Sequence, residues 1–235
     1  MSVDYFNRQD CTKRYVARRA CGKTGWADEN SYRMKEKRIG DFLSRNPLAR
    51  GSRVLELGCG AGNTTLFIAE KGFDAYGVDA EAVAIEWAKE KMKASNTRAT
   101  FSVGNIVDLD GFADNFFDFV YDGETLHCIV GEDHKSCLAN VFRILKPGGL
   151  FLAGANLINE ELNEPIELEK GVRFDPRSQC LYHGDVAYYY LSRQQQFLEE
   201  VRQASFQVLH IEKTPQIDEY ASFSNGWLWV DTIKP

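Results

Sequence analysis

The sequence predicts an α/β fold in which helices cover both faces of a doubly wound parallel sheet. From Arg53 onward, short apolar runs alternate with segments whose apolar residues have helical spacing. Turn signals such as "KPGG" at 146–149 separate several of these runs from the segments before them. Because parallel strands need long crossover connections, usually helices, this alternation predicts a parallel sheet.

Seven apolar runs are predicted as strands. They are short, rich in apolar and aromatic residues, and bounded by glycine or charged residues. In chain order they read "RVLEL", "DAYGVD", "ATFSV", "FDFVY", "GLFLAG", "FQVLHIEKT" and "GWLWVDTIKP". The last two are predicted to form an antiparallel pair that closes the sheet.

The helices are predicted from apolar periodicity and from their end signals. Residues 32–48 carry apolar side chains among charges, which is typical of an amphipathic helix lying on the main domain. Asn63 is expected to cap the helix after the first strand, and Gly72 to end it in a left-handed turn. Another helix is predicted near 133–145, and a capping box at 192–195 begins the last one.

The chain is predicted to contain one main domain with additions. Residues 1–50 are expected to form an N-terminal helical cover or lid, and residues 51–235 the main domain. Within that domain, segment 156–190 is too long for an ordinary connection in a compact fold. We therefore expect it to be a functional excursion beside the substrate.

Composition and charge exclude several classes of function. The chain has 235 residues, with 28 Lys and Arg against 34 Asp and Glu, a formal net charge of -6. No broad cationic surface for nucleic acid is expected. The sequence contains neither an apolar run of about 20 residues nor a secretory signal core, which predicts a cytoplasmic protein with no membrane partner. Its six cysteines show no CxxC spacing, so no metal site is predicted.

The stretch "LGCGAGNTT" places glycines at 58, 60 and 62, directly after a predicted strand. Glycines in a strand-to-helix turn allow a ligand to approach the main chain near the positive end of the helix. Asp79 follows about 20 residues later at the end of the next strand, where a carboxylate can accept hydrogen bonds from ribose hydroxyls. The pattern indicates a nucleotide-like cofactor. A dinucleotide-binding oxidoreductase is an alternative, but its GxGxxG fingerprint places the third glycine one position later.

Several segments, taken in order, resemble the class I S-adenosylmethionine-dependent methyltransferases. They are "ELGCGAGNTT", "GVDAE", "GNIVDL", "FDFVYDGETLHCI" and "RILKPGGLFL". The resemblance implies a Rossmann-like sheet of seven strands, mostly parallel with an antiparallel last strand. It also implies S-adenosylmethionine as the cofactor and S-adenosylhomocysteine as the product.

The resemblance further implies a cofactor site built from the turns after four strands. Asp79 would hold the ribose, and Asn105 stands where the family often has aspartate. The implied cofactor-binding residues are Glu56, Gly58, Cys59, Gly60, Asp79, Ala80, Asn105, Ile106, Asp122 and Gly123.

Methyl transfer needs no protein nucleophile, and positioning of the reactants supplies much of its acceleration. A base is needed only if the acceptor is a hydroxyl or a protonated amine. His127 and Glu124, in the turn after the fourth strand, are the candidate catalytic residues. The alternatives are that His127 starts a helix and bonds only to backbone, and that Glu124 is a solvated surface carboxylate.

Two groups of mainly aromatic residues are predicted to lie near the site. The N-terminal set is expected to act as a lid over the cofactor or as a simple docking segment, and comprises Tyr5, Phe6, Tyr15, Arg18 and Trp26. The second set is expected to line an acceptor pocket or to pack on the sheet, and comprises Tyr182, His183, Tyr188, Tyr189 and Tyr190.

These features predict a methyltransferase that acts on a nitrogen, oxygen or sulfur of a small molecule. A protein acceptor is not excluded, and the patterns leave open a monomer or a homodimer. The alternatives are a noncatalytic S-adenosylmethionine-binding or partner-dependent protein, and an NAD-dependent oxidoreductase.

Overall fold

The structure is a computed structural model that describes residues 8–159, 161–168, 171–215 and 224–235. The helices are α1 (Arg8–Ala20), α2 (Glu29–Arg45), α3 (Asn63–Glu70), α4 (Ala82–Ala94), α5 (Glu132–Ile144) and α6 (Gln194–Gln203). The strands of the main sheet are β1 (Arg53–Leu57), β2 (Asp74–Asp79), β3 (Ala99–Val103), β4 (Phe117–Asp122), β5 (Leu145–Ile158), β10 (Gln207–Thr214) and β11 (Ser224–Ile233). A smaller sheet contains β6 (Ile166–Glu167), β7 (Val172–Asp175), β8 (Cys180–His183) and β9 (Val186–Tyr190).

The main sheet has seven strands in the order β10-β11-β5-β4-β1-β2-β3. Strands β1 to β5 pair in parallel, whereas β11 pairs antiparallel with both β5 and β10. This arrangement confirms the predicted α/β class, the seven strands and the antiparallel last strand. The order of β1, β2 and β4 reverses at β1, the switch point where open α/β sheets bind ligands beyond the strands' carboxyl ends.

Both faces of the sheet are covered by helices that bury apolar residues. One face packs against α5 and α6 in a cluster that includes Leu138, Val141 and Phe197. The other face packs against α2 and α3 through Ile39, Phe42 and Ile68. Helix α2 therefore belongs to the packed core, although it precedes the first strand. Tyr5 and Phe6 lie outside the described residues.

The excursion folds as the small antiparallel sheet, with strand order β6-β7-β8-β9. Its own apolar cluster includes Ile158, Phe174, Leu181 and Leu191. A parallel bridge between Leu157 and Ser192 attaches the chain leaving this sheet to the end of β5. The excursion thereby stands directly beside the carboxyl end of the main sheet.

Two predicted helix caps are wrong, whereas the predicted glycine stop is confirmed. Gly62, with φ 77°, is the N-cap of α3, because its left-handed backbone allows the chain to enter the helix one residue before Asn63. Arg193 rather than Ser192 precedes α6, and no side chain caps that helix. Gly72 has φ 93° just past the end of α3, as predicted.

Within the described ranges, no helix is both long and apolar enough to cross a bilayer. The same residues contain no group of three or more His, Cys, Asp or Glu side chains that could hold a metal ion.

Candidate active site

The carboxyl ends of β1, β2 and β4 meet at one edge of the sheet, where backbone hydrogen bonds join their turns. The Gly123 amide donates to the Leu57 carbonyl (3.0 Å), and the Cys59 amide donates to the Val78 carbonyl (3.0 Å). The Gly104 amide donates to the Asp79 carbonyl (3.0 Å) and joins the β3 turn to the same edge. The fold therefore brings the predicted cofactor residues of four separate turns together.

The glycine turn approaches other parts of the protein too closely for side chains. Gly58 has φ 65°, and a Cβ atom there would lie 1.7 Å from Thr125 Oγ1. Gly60 has φ 52°, and a Cβ atom there would lie 2.8 Å from the Tyr15 hydroxyl of α1. Cys59, between them, is buried, and burial raises the pKa of its thiol well above the usual value. Cys59 is thus an unreactive thiol that packs within the turn.

Asp79 joins the glycine turn to the end of β2. Its Oδ2 accepts from the Gly60 amide (2.8 Å), and its Oδ1 accepts from the Glu81 amide (2.9 Å). Burial raises the pKa of this carboxyl, while the two backbone hydrogen bonds oppose that shift. A carboxylate has about four acceptor positions, so both oxygens can still accept from other donors. Ala80, the next residue, is exposed.

Glu56 lies on β1 below the glycine turn and is 2 % exposed. Thr65 of α3 donates its hydroxyl to Glu56 Oε2 (2.5 Å), which connects the strand to the helix after the turn. Burial raises the pKa of Glu56 to about 7. The side chain is therefore an internal support of the turn.

Asn105 and Ile106 follow β3, on the other side of Asp79. The Asn105 Oδ1 atom accepts from the Val107 amide (3.0 Å), which fixes its orientation, and Ile106 is buried. Asn105 also lines a cavity of about 390 Å³ beside the edge strand, together with Tyr76 and Phe112.

Asp122 ends β4 and is completely buried. Its Oδ1 accepts from the amides of Thr125 (2.8 Å) and Leu126 (3.1 Å). Its Oδ2 has no hydrogen-bond partner among the described residues. Burial raises the pKa of this carboxyl to about 7.

His127 lies in a short 3₁₀ helix, Leu126–Cys128, after the β4 turn. Its ring contacts Tyr189 of β9 (centroids 4.3 Å apart) and Trp227 of β11 (5.1 Å). Burial lowers the pKa of His127 to about 4, so the imidazole is neutral at physiological pH. A base with this pKa accepts a proton weakly. The role of His127 as general base stays a prediction.

Glu124 has φ 68°, which is unusual for a residue with a side chain. Its carboxylate pairs with Lys35 (3.2 Å) and Arg38 (3.1 Å), both on α2. Burial alone would raise the pKa of Glu124, but these two cations outweigh it and the net shift is downward. Glu124 is an ion-paired carboxylate rather than a solvated one, and its proposed catalytic role remains a prediction.

Comparison with known proteins shows what the chain is similar to. A family model described as a methyltransferase domain matches residues 55–153. An uncharacterised methyltransferase of Synechocystis is 35% identical over 109 residues, which cover 46% of this chain and 49% of that protein. Residues 55–153 therefore match a methyltransferase domain, in agreement with the resemblance to the class I S-adenosylmethionine-dependent methyltransferases.

Two further relatives show what this domain resembles. An S-adenosyl-L-methionine-dependent Diels-Alderase of Talaromyces variabilis is 34% identical over 128 residues, 53% of this chain and 41% of that protein. The solved structure of the 1,6-didemethyltoxoflavin-N1-methyltransferase of Burkholderia thailandensis has a TM-score of 0.67 at 21% identity and covers 97% of this chain and 86% of that chain. The chain spans about half the length, or less, of the curated relatives that it matches.

The N-terminal helices add residues to the methyltransferase site that the sequence analysis did not assign. Lys35 also donates to the Gly123 carbonyl (2.8 Å), 88 residues further along the chain. Arg18, predicted as part of a lid or of a docking segment, donates to the Gly25 (2.6 Å) and Ala27 (3.0 Å) carbonyls. Lys35 and Arg38 lie three residues apart on one helix face, but this spacing does not indicate partners 88 and 86 residues away.

Aromatic residues from both predicted sets reach the methyltransferase site. Tyr15 is buried beside Ala61 of the glycine turn and contacts Trp26 (centroids 5.1 Å apart). Tyr189 contacts His127, whereas Tyr190 points away and receives a hydrogen bond from Gln196 (2.6 Å). Tyr182 contacts Arg173 instead. Adjacent tyrosines therefore divide between the site and the packed interior, as strand alternation requires.

Replacing Lys35 by methionine is expected to lower the free energy of unfolding by about 1–3 kcal/mol, because the Glu124 carboxylate and the Gly123 carbonyl lose a charged donor. Urea denaturation measures this loss. In a double-mutant cycle, Glu124→Gln is expected to remove part of it, with a coupling energy of about 0.5–3 kcal/mol.

Lys37→Met is the matched control, since Lys37 lies on the same helix and its pair with Asp41 is exposed. We expect little change in stability from this variant. Strictly additive effects of Lys35→Met and Glu124→Gln would contradict the assigned ion pair.

Proposed function

We propose that the protein transfers the methyl group of S-adenosylmethionine to a nitrogen, oxygen or sulfur atom of a small-molecule acceptor. The contact of Asp79 with the Gly60 amide supports this proposal most directly, because it places a carboxylate beside the glycine turn. Nucleotide-binding folds use this juxtaposition to hold a ribose near the start of a helix.

The residues present fit the cofactor. Asp79 retains acceptor positions for ribose hydroxyls, and Gly58 and Gly60 allow the left-handed turn that brings the Gly60 amide to Asp79. Asn105 and Ile106 would hold the adenine, with Ala80 against its ring. Asp122 and Gly123 would border the methionine part, where Asp122 Oδ2 is buried without a partner in the described part of the chain. When bound, the cofactor supplies an electrophilic methyl group.

The chain's own residues contribute orientation and exclusion of water. Glu56 and Thr65 fix the glycine turn, while Lys35 and Arg38 fix the turn after β4. Holding two reactants in line removes much of the entropic barrier to a displacement reaction. We propose that His127 faces the acceptor, because its ring contacts Tyr189 and Trp227 beside the turn after β4.

A second function is binding of S-adenosylmethionine without methyl transfer. The relative named as a Diels-Alderase favours it, since that protein is described as dependent on S-adenosylmethionine but by name catalyses a different reaction. The two functions differ in whether S-adenosylhomocysteine accumulates when acceptors are supplied.

The test is calorimetric titration with S-adenosylhomocysteine, with NAD as the control ligand. We expect S-adenosylhomocysteine to bind and NAD not to bind. Asp79→Ala is expected to weaken that binding by about 1–3 kcal/mol, because buried hydroxyls lose their acceptor. The control Asp74→Ala replaces an exposed residue at the start of the same strand, and it should leave the affinity unchanged.

Unchanged affinity in Asp79→Ala would refute the assignment of the ribose site. Binding of NAD alone would refute the proposed function. Binding of S-adenosylhomocysteine without any turnover across an acceptor library would favour the second function.

A further inference from the structure

We propose that the methyl acceptor is a planar, uncharged ring compound that carries an N–H or O–H group and binds against a wall formed by His127, Tyr189 and Trp227. This inference rests on the proposed function and specifies its substrate class. The wall draws one residue each from the β4 turn, from β9 and from β11. Tyr189 and Trp227 lie outside the segment that matches the family model, so that match does not assign them.

The wall presents ring surface beside the predicted cofactor residues. His127 follows Asp122 and Gly123 by only a few residues, and its ring contacts both aromatic partners. All three residues are half-buried rather than enclosed in the core. Aromatic faces and edges favour stacking with another planar ring.

Hydrogen bonds and stacking hold the wall in place. The Asn156 side chain donates to the Tyr189 hydroxyl (2.7 Å) and accepts from the Ser224 hydroxyl. Trp227 stacks on Trp229, with centroids 5.7 Å apart and an interplanar angle of 14°. The rings are therefore preorganised, which reduces the entropic cost of binding a rigid planar ligand.

One polar atom of the wall has no partner within the described ranges. It is His127 Nδ1, which is buried. Buried polar atoms are nearly always hydrogen-bonded in native proteins, so this nitrogen indicates a ligand group or a water. A neutral imidazole nitrogen either accepts from an N–H or O–H group or donates to a carbonyl. The edge of a ring amide offers both.

The charges around the wall favour an uncharged acceptor. Lys35 and Arg38 are paired with Glu124, so neither is free to hold a phosphate or a carboxylate of the acceptor. The Arg38 guanidinium also lies 3.8 Å from the centroid of the Trp229 ring, so that face already carries a cation. A second cation bound nearby would be repelled.

The experiment compares compounds that share a bicyclic ring system and differ in charge, titrated into the protein saturated with S-adenosylhomocysteine. The probes are 2-quinolone, the cation N-methylquinolinium and the anion quinoline-2-carboxylate. We expect 2-quinolone to bind about tenfold or more tightly than either ion, a difference of roughly 1.4 kcal/mol. Tighter binding of either ion, or no binding of 2-quinolone at millimolar concentration, would overturn the proposal.

Variants locate the binding site. Trp227→Ala should weaken 2-quinolone binding, whereas Tyr182→Ala, whose ring contacts Arg173, should not. N-methyl-2-quinolone lacks the N–H group, and we expect it to bind more weakly than 2-quinolone. His127→Phe keeps a ring but removes the nitrogen, so it should abolish that difference. A difference retained in His127→Phe would overturn the assignment of the wall.

Binding of S-adenosylhomocysteine is measured in the same samples before each probe is added. If the protein binds S-adenosylhomocysteine but shows no preference for 2-quinolone, the inference about the acceptor fails and the proposed function stands. If S-adenosylhomocysteine does not bind, the proposed function itself fails.

Discussion

Replacing Phe42 by alanine is expected to lower the free energy of unfolding by about 3–5 kcal/mol, the usual cost of deleting a buried aromatic ring. Phe42 is completely buried and stacks on Phe119 of β4, with centroids 4.4 Å apart and an interplanar angle of 12°. Ile39 and Leu152 belong to the same cluster, so the cavity cannot close without moving α2 or the sheet. Equilibrium denaturation in urea measures the loss.

Met34→Ala is the matched control, because Met34 lies on the same helix and is 52% exposed. A loss below about 1 kcal/mol for Phe42→Ala would place α2 among the surface elements, since surface substitutions usually change stability little. The result also bears on our division of the chain at residue 50. A large loss would make α2 part of the main domain and leave only the preceding residues as a separable cover.

The main sheet could be predicted from the sequence because its signals are local. Strands β1 and β4 are buried on both faces, so "RVLEL" and "FDFVY" appear as nearly continuous apolar runs. Helix α5 has a clear apolar stripe that includes Leu138 and Val141. The order of the strands, by contrast, does not follow from local patterns, and the expectation that all seven strands join in one sheet came from the family resemblance.

The strands of the excursion could not be predicted in the same way. They are two to five residues long, and some mix buried with exposed positions, as in "CLYH" of β8. Such segments are stabilised by their partners across the hairpins and by residues outside the segment, including Ile158 and Leu191. Propensity is a weak guide where neighbouring strands determine the structure.

The residues of the predicted site also differ in whether local sequence could identify them. The glycine turn and Asp79 could be identified because their chemistry depends on a short stretch of chain. Lys35 and Trp227 could not, since each reaches the site from a distant part of the sequence. The sequence places both candidate bases in the turn after β4, but the structure gives them different surroundings. His127 lies among aromatic rings, whereas Glu124 pairs with two cations.

Replacing Gly58 by alanine is expected to weaken S-adenosylhomocysteine binding about 100-fold, or roughly 3 kcal/mol. The new Cβ would lie 1.7 Å from Thr125 Oγ1 and 2.7 Å from Thr125 Cβ, so the two turns must separate. Alanine also resists the φ of 65°, which costs about 1–2 kcal/mol by itself. Because Thr125 donates its amide to Asp122, the disturbance spreads to both sides of the cofactor site.

The two causes can be separated by a second substitution. Thr125→Gly removes the three atoms nearest to the new Cβ, so Gly58→Ala combined with Thr125→Gly should recover part of the affinity. The part that remains lost measures the backbone strain. Gly51→Ala is the matched control, because Gly51 also has a positive φ, 81°, but a Cβ there would meet nothing within 4 Å. It should retain full affinity, since its strain lies before β1. Equal losses in both single variants would trace the effect to general destabilisation rather than to the cofactor turn.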